Sequence, residues 1–449
     1  MVTPLSLNGA LAAARTAIDA ASTGAAVASQ NIANAATPEY AQERADLTAL
    51  TDDAGVGIGT IERLVSPLIR SSLTQAQGAQ SGATESSQLL SQIQAVFGEP
   101  SNGLSSLFGT FWNAWQEVAN SPSDPGARDA LISATTQLTA QFHSISSGLT
   151  EMQQSLLPTI SQQVDQVNTL AQQVATLNGQ IAAGTAAGQD TNGLQDQRDQ
   201  LLTQLAQLVG ASSSALDMAQ PTVVVNGQPL VVGQQVYKLQ ATQTGSTVTV
   251  TWAADGQPAT LTGGQLGAEV QVATNTIPSV QGQIDDVANA LIQAVNTEHA
   301  AGYTLDAQPA TGIQFFQGTG AAGIAINPAI AADPNEIAAS ASGAPDDGTN
   351  AQAIADLATT TGTSGTTIVQ QYNSLVVQVG TLVSTASQAQ TTAANQVTQF
   401  QQLDQSVSGV STSDEQTALV LDQSQSQAAS AVLQAVQTML TSLLTAVEA

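Results

Sequence analysis

Apolar residues near the start of the chain fall at Leu11, Ala14, Ile18, Ala21, Ala25, Ala28 and Ile32. These steps of three and four keep one seam on a single helix face. The same rhythm returns at the end through Leu419, Asp422, Ser426, Ala429, Leu433, Val436, Leu440 and Leu443, with two polar residues in its first half. Alanine buries too little area to hold a lone helix in water, so each terminal helix is expected to need a partner. That partner is the other terminus or a neighbouring subunit. Ordinary amphipathic helices of one globular domain would show the same rhythm; a terminal coiled coil used in assembly is the sharper reading.

Between the ends, Asn, Thr and Pro in NIANAATPEY end the first helix and predict a turn or extended linker. GVGIGTIERLV reads as a short strand or hairpin arm, followed by a helix from Pro67 to about residue 97 that stops at FGEPSNG. A second helix carries Leu107, Phe108, Phe111, Trp112 and Trp115, the densest apolar payload in the chain and the expected anchor of a core. Helix then dominates from Ala127 to about Ala183, with Gly148 and Pro158 as sites of a kink or short gap. Another helix, Asp196 to Val209, shows Leu201, Leu205 and Leu208 on one face and a stop at Gly210. From about 211 to 270, Val/Thr-rich runs separated by Asn226–Gly227, Val232–Gly233 and Asp255–Gly256 predict a β insertion. Helix returns from Val270 to Ala300, GYTLDAQPATGIQFFQG is irregular or short-stranded, and Asn350 to Phe400 reads as one long helical stretch.

Composition narrows the function. Seven Lys plus Arg against 34 Asp plus Glu give a net charge of −27, which argues against nucleic acid and against an anionic membrane surface. No uninterrupted apolar run approaches 18 residues, and the first residues lack the basic start and cleavage site of a conventional signal peptide. Zero cysteines exclude disulfides, thiolate catalysis and Cys-ligated metals. His143 and His299 stand in no metal-ligand spacing; the first reads as a partly packed helical residue and the second as a helix-end residue. Asp285–Asp286 and Asp414–Glu415 are adjacent acids, the latter suited to a helix start. GVGIG and LTGGQLGAE lack the rest of a phosphate or dinucleotide motif. No catalytic, cofactor-binding or metal residue is assigned, no cofactor is expected, and an enzyme is not expected.

The segment LSLNGALAAARTAIDAASTGAAVASQNIANAATPEYAQERA resembles the start of flagellar rod, hook and hook-associated axial proteins. The motif residues are Asn31, Ile32, Ala33, Asn34, Thr37, Pro38 and Tyr40. Glu39 stands where a glycine commonly precedes the tyrosine, so the local turn is expected to carry a cost. Five further segments, in order, are similar to the branch at the first hook–filament junction: FGEPSNGLSSLFGTFWNAWQEVANSPSDPGARDALISATTQL, GLQDQRDQLLTQLAQLVG, VVVNGQPLVVG, AVNTEHAAGYTLDA and DPNEIAAS. At the C-terminus Ser408-Gly409-Val410 and Asp414-Glu415 keep the pattern, while Ser426 replaces a common aromatic, implying lighter packing there.

The resemblance implies a mainly α fold, with long terminal and central helices packed as an elongated rod or bundle and a small β-rich insertion. It divides the chain into an N-terminal axial helix and linker (1–66), a helical rod domain in two parts (67–210 and 271–410), a β-rich outer insertion (211–270) and a C-terminal axial helix (411–449). It further implies a structural role at the hook–filament junction and export, without a cleaved signal, by the flagellar type III apparatus and its chaperone. The implied location is extracellular. Implied partners are copies of the chain in a ring-like helical layer, hook protein and hook-associated protein 3; no nucleic acid and no membrane are expected. Leu11, Ile18, Ile32, Leu433, Val436, Leu440 and Leu443 are the expected assembly interface. Another axial rod or hook protein, or a secreted surface adhesin, is the alternative.

Overall fold

The computed structural model describes residues 6–51, 54–98, 103–213, 222–245, 247–306, 308–362 and 365–448. The fold is mainly α, with long helices and small antiparallel sheets. Helix α1 (Leu7–Asn34) begins at Ser6, whose hydroxyl accepts the Gly9 N–H at 3.0 Å. Strands β1 (Glu43–Ala49) and β2 (Val56–Arg63) make a hairpin with an irregularity between Asp46 and Leu47. The sequence shows β2 by its glycine-flanked apolar run but hides β1, whose ERADLTA reads as polar linker. Helix α2 (Pro67–Val96) starts at the expected proline; Glu99 to Asn102 of the predicted breaker lie outside the described residues.

Helices α3 (Leu104–Asn120), α4 (Pro125–Ala186) and α5 (Asn192–Val209) follow. The gap considered at Gly148 or Pro158 is absent: α4 runs unbroken for 62 residues with Pro158 inside it. Buried Leu156, Leu157 and Ile160 on either side of the proline supply packing that offsets its missing N–H. Helix α5 begins four residues before the expected Asp196 and stops at Gly210, whose φ is 66°.

The β insertion contains β3 (Ser212–Ser213), β4 (Val223–Val225), β5 (Gln228–Val232) and β6 (Gln235–Val236) in one antiparallel sheet, then β7 (Leu239–Thr244) and β8 (Thr247–Trp252) as a separate hairpin. Pro221, at the head of the predicted first run, lies outside the described residues. Asn226 (φ 48°) and Gly227 (φ 80°) both take the left-handed conformation that a two-residue hairpin turn requires, as the Asn-Gly pair predicts.

Helix α6 (Gly264–Gln271) passes through one π turn (Val272–Thr276) into α7 (Ile277–Ala301). Short elements come next: β9 (Phe316–Gln317), α8 (Gly320–Gly323), β10 (Ala325–Ile326) and α9 (Pro328–Ala332). The expected single helix from Asn350 to Phe400 is two helices, α10 (Thr349–Asp356) and α11 (Ile368–Ser408). The intervening sequence is rich in threonine and glycine, poor helix formers, and the Thr359 and Thr360 hydroxyls donate back to the Asp356 carbonyl at 3.2 and 2.9 Å. Helix α12 (Thr412–Glu448) completes the chain.

Two compact units are present. The first comprises Met1–Gln80, Gln166–Lys238 and Ala393–Ala449; the second comprises Ser81–Asp165 and Leu239–Thr392. Their cores differ in kind. All three tryptophans and six of the seven phenylalanines fall in the second unit. There Trp115 packs on Phe315 at 5.0 Å between ring centres, Phe111 on Phe316 at 5.9 Å and Phe108 on Phe142 at 5.9 Å, so the α3 aromatics do anchor a core. The first unit is held chiefly by Ala, Leu and Val.

Two buried polar groups tie distant segments of the second unit together. The Arg128 guanidinium donates to the carbonyls of Pro122 (2.7 Å), Pro334 (2.9 Å) and Ile337 (2.9 Å), which joins the SPSDPGARD and DPNEI segments; burial pulls its pKa down to about 10. His299 stands in the last turn of α7, as expected, and is fully buried. Its Nδ1 donates to the Ile313 carbonyl at 2.8 Å and its Nε2 accepts the Ala338 N–H at 3.0 Å, an arrangement that needs the neutral ring. Burial lowers its pKa to about 4.

Because the folded pKa of His299 lies below its ordinary 6.5, its contribution is present above about pH 6.5 and is lost as pH falls toward 4. In urea unfolding followed by tryptophan fluorescence, the stability advantage of the wild type over His299→Gln is expected to shrink by up to roughly 3 kcal/mol across that window. Glu269 has the opposite sign. Burial, then the nearby Glu85, raise its pKa to about 7 against a hydrogen bond from Gln163 (2.6 Å), so its contribution is present below about pH 4.5 and lost as pH rises through 7. Glu269→Gln is therefore expected to match the wild type at pH 4 and to exceed it by up to roughly 3 kcal/mol at pH 8 in the same assay.

Candidate assembly interface

The first unit brings the two ends of the chain together. Tyr40, bonded to Asn31, lies within electrostatic reach of Glu415, and Gly24 lies against Asp422. From Gln42, whose amide donates to Glu415 at 2.7 Å, back to Gly24 against Asp422, position falls through the N-terminal segment as it rises along α12, so the two helices are antiparallel. Gly24 is required by the approach: a Cβ there would stand 2.5 Å from the Asp422 Oδ2. Helix α1 buries Ala14, Ala21, Val27 and Ala28, and α12 buries Ala429 and Val436. The two seams predicted from sequence are thus used on each other within one chain.

The Asn31 motif is the corner of this pair. Asn31 is 0% exposed. Its Oδ1 accepts from the Tyr40 hydroxyl (2.8 Å) and the Glu43 N–H (2.9 Å), and its Nδ2 donates to the Glu43 carbonyl (2.8 Å). One side chain therefore sets the exit of the chain from α1 into β1. Asn34 and Thr37 shape the intervening turn, with the Thr37 N–H on the Asn34 carbonyl at 2.8 Å, while the Pro38 carbonyl accepts from Gln200 at 3.1 Å. Ala33 is exposed and Ile32 half-buried. Glu39 keeps the left-handed conformation that the family's glycine would take, at φ 62°. Its carboxylate binds Arg70 at 2.6 Å, and Arg70 also donates to the Glu39 carbonyl (3.1 Å). The strained backbone is thus held by an ion pair that glycine could not make.

Sequence reasoning missed this arginine framework. Arg70 also faces Asp404 of α11 at 3.4 Å. Arg63, at the end of β2, binds Asp196 and, at 2.8 Å, Asp199, and donates to Gln195 at 3.1 Å; the Asn192 amide donates to the Ile61 carbonyl at 3.0 Å. The hairpin is thereby bolted to α5. The signal available in the sequence was the scarcity of cations, seven in the whole chain. At the hairpin's other end, Thr16 of α1 donates to the Ala54 carbonyl at 2.8 Å.

The predicted interface residues divide into two sets. Leu11, Ile18, Ile32, Leu433 and Leu440 are half-buried and Val436 is 5% exposed, whereas Leu443 is 57% exposed. Off the seam, Val420, Leu421, Val432, Met439 and Leu444 of α12 are also exposed, an apolar surface that the seam pattern did not reveal. The span 368–446 includes a window long and apolar enough, by length and composition, to cross a bilayer, and that window is mostly exposed. Among the described residues, no group of three or more His, Asp or Glu is arranged to hold a metal ion.

This architecture has relatives. The family description "Flagellar hook-associated protein FlgK helical domain" matches residues 90–316, half of the chain. The chain belongs to that family. It is 28% identical over 323 residues to flagellar hook-associated protein 1 of Escherichia coli, covering 68% of this chain and 59% of that protein. The chain thus spans less than two thirds of the length of this relative. It is 27% identical to the Bacillus subtilis protein of the same name, covering 91% of this chain and 92% of that one. A solved chain from Burkholderia pseudomallei, described as the structure of the flagellar hook junction protein FlgK, shares the fold with a TM-score of 0.64 at 18% identity, covering 75% of this chain and 100% of that one.

Asn31→Ala is expected to lower the stability of the first unit by about 2–3 kcal/mol, because it strands the Tyr40 hydroxyl and both backbone groups of Glu43. Asn34→Ala, at a more exposed position, is expected to cost under about 1 kcal/mol. Urea unfolding, with hydrogen exchange at the Glu43 amide, distinguishes the two.

Proposed function

We propose that the chain is a structural component of the junction between flagellar hook and filament, forming a ring-like helical layer of copies whose terminal segments, 1–66 and 411–449, line the axial tube. The observation that carries this reading is the divided surface of α12. Its seam face is satisfied by α1, while Val420, Leu421, Met439, Leu443 and Leu444 remain exposed. Apolar side chains in that number call for cover from outside the chain. Threonine, serine and glutamine recur at every turn between them, which suits packing against neighbouring helices better than contact with lipid. The names of the relatives point to the same place.

On this reading Leu11, Ile18, Ile32, Leu433, Val436 and Leu440 serve assembly by holding α1 and α12 as one coiled-coil-like pair, and Leu443 meets the neighbouring subunit directly. Hook protein lies below the layer and hook-associated protein 3 above it. The chain is exported by the flagellar type III apparatus with its chaperone and acts outside the cell.

Immuno-electron microscopy tests the location. Label confined to the hook–filament boundary, with bare hooks in the deletion strain, is the expected result; label along rod, hook or filament reassigns the chain to another axial position. Leu443→Asp is expected to leave folding intact and reduce incorporation about tenfold, whereas Val436→Asp is expected to lose stability by roughly 3 kcal/mol, since only the second buries a charge within the chain. Thermal unfolding and flagellar immunoblots read the two effects separately.

A further inference from the structure

Helices α1 and α12 and the β1–β2 hairpin wall an open trough of about 670 Å³, room for a row of side chains. Its floor is the α1–α12 seam itself, where Ala21 and Ala28 are already buried, and Gln42, Arg44, Asp414 and Gln425 stand along its polar sides. Asp422 stands among them, against Gly24, and among the described residues makes no hydrogen bond or ion pair. This is the acidic residue that interrupts the C-terminal seam. The hairpin wall adds Arg44, whose side chain is 62% exposed and leans on Glu62 at 3.7 Å.

The outer side of α1 carries a matching strip. Arg15, Asp19, Ser22 and Ala26 are all exposed. At 3.6 residues per turn they lie about half a turn from Ala21, Gly24 and Ala28. Among the described residues Arg15 forms no ion pair. Most of the other cations are already engaged: Arg63 and Arg70 in ion pairs, Arg128 and Arg198 in buried hydrogen bonds. In a chain of net charge −27, copies repel one another unless a cation is placed against an acid at their contact.

The geometry points to the trough as the seat of the outer α1 strip of a second copy, with Arg15 of one copy against Asp422 of the next, and Asp19 against Arg44. The inference rests on the reading of the chain as a self-assembling axial component, and adds which faces meet. On the approaching strip Ser22 and Ala26 are small and exposed, which permits close approach to the trough's rim. Because knob and trough occupy opposite sides of the same helix, the contact is head-to-tail and propagates instead of closing as a two-fold dimer.

The test is a charge swap, read as incorporation of the full chain into flagella of a deletion strain. Arg15→Glu alone and Asp422→Arg alone are each expected to reduce incorporation tenfold or more. The double variant, and co-expression of the two single variants, are expected to recover to within about threefold of wild type, since each restores an opposite-charge pair at every contact. Far-UV circular dichroism of the purified variants reports folding; where a reversal loses helix, Arg15→Gln and Asp422→Asn take its place, each with a several-fold reduction that higher salt does not deepen. Full incorporation of both single variants, or impairment that neither double variant nor co-expression relieves, overturns the trough seat while leaving the axial reading intact. Wild-type protein absent from the flagellum overturns the axial reading itself.

Discussion

Helix α1 depends on α12 because neither carries enough apolar area to stand alone. The α1 seam is built largely from alanine, and each alanine contributes little on its own. Its value lies in distance: small side chains and Gly24 let the second helix come close, so many weak contacts act together. The corner that aligns the pair is Asn31, which satisfies three buried partners at once. A longer, more apolar seam would have held each helix more firmly but would also have been harder to keep soluble.

Charge is distributed with the same economy. Asp and Glu outnumber Lys and Arg by 34 to 7, and the first unit commits Arg63 and Arg70 to joining its hairpin, turn and helices. Burying these groups carries a desolvation cost that the multiple acceptors offset, and the geometry fixes which segments meet. Arg128 plays that part in the second unit with backbone carbonyls instead of acids. What remains outside is an acidic surface with few cations.

The second unit solves its stability problem differently. Its aromatic cluster concentrates apolar area in a few large rings, with the neutral His299 ring among them. Glu269 and His299 titrate in opposite senses between about pH 4 and 7, so their effects on folding partly cancel.

The family, the helical character, the terminal seams, the aromatic anchor and the Asn-Gly hairpin were all legible in the sequence, because each is a local pattern: a periodicity, a turn pair or a contiguous motif. The separation of α10 from α11 and the continuity of α4 through Pro158 were not, since propensity competes there with packing from residues far along the chain. Strand β1 is polar in sequence and exists because β2 pairs with it. The roles of Arg63, Arg70 and Arg128 and the burial of His299 were likewise invisible, as their partners lie between 6 and 334 positions away and no spacing rule joins them. The sequence by itself determined that both ends are helices needing partners. Only the tertiary structure decided that they partner each other, which α12 side chains are thereby spent, and which stay exposed, because a seam's periodicity names a face without naming what covers it.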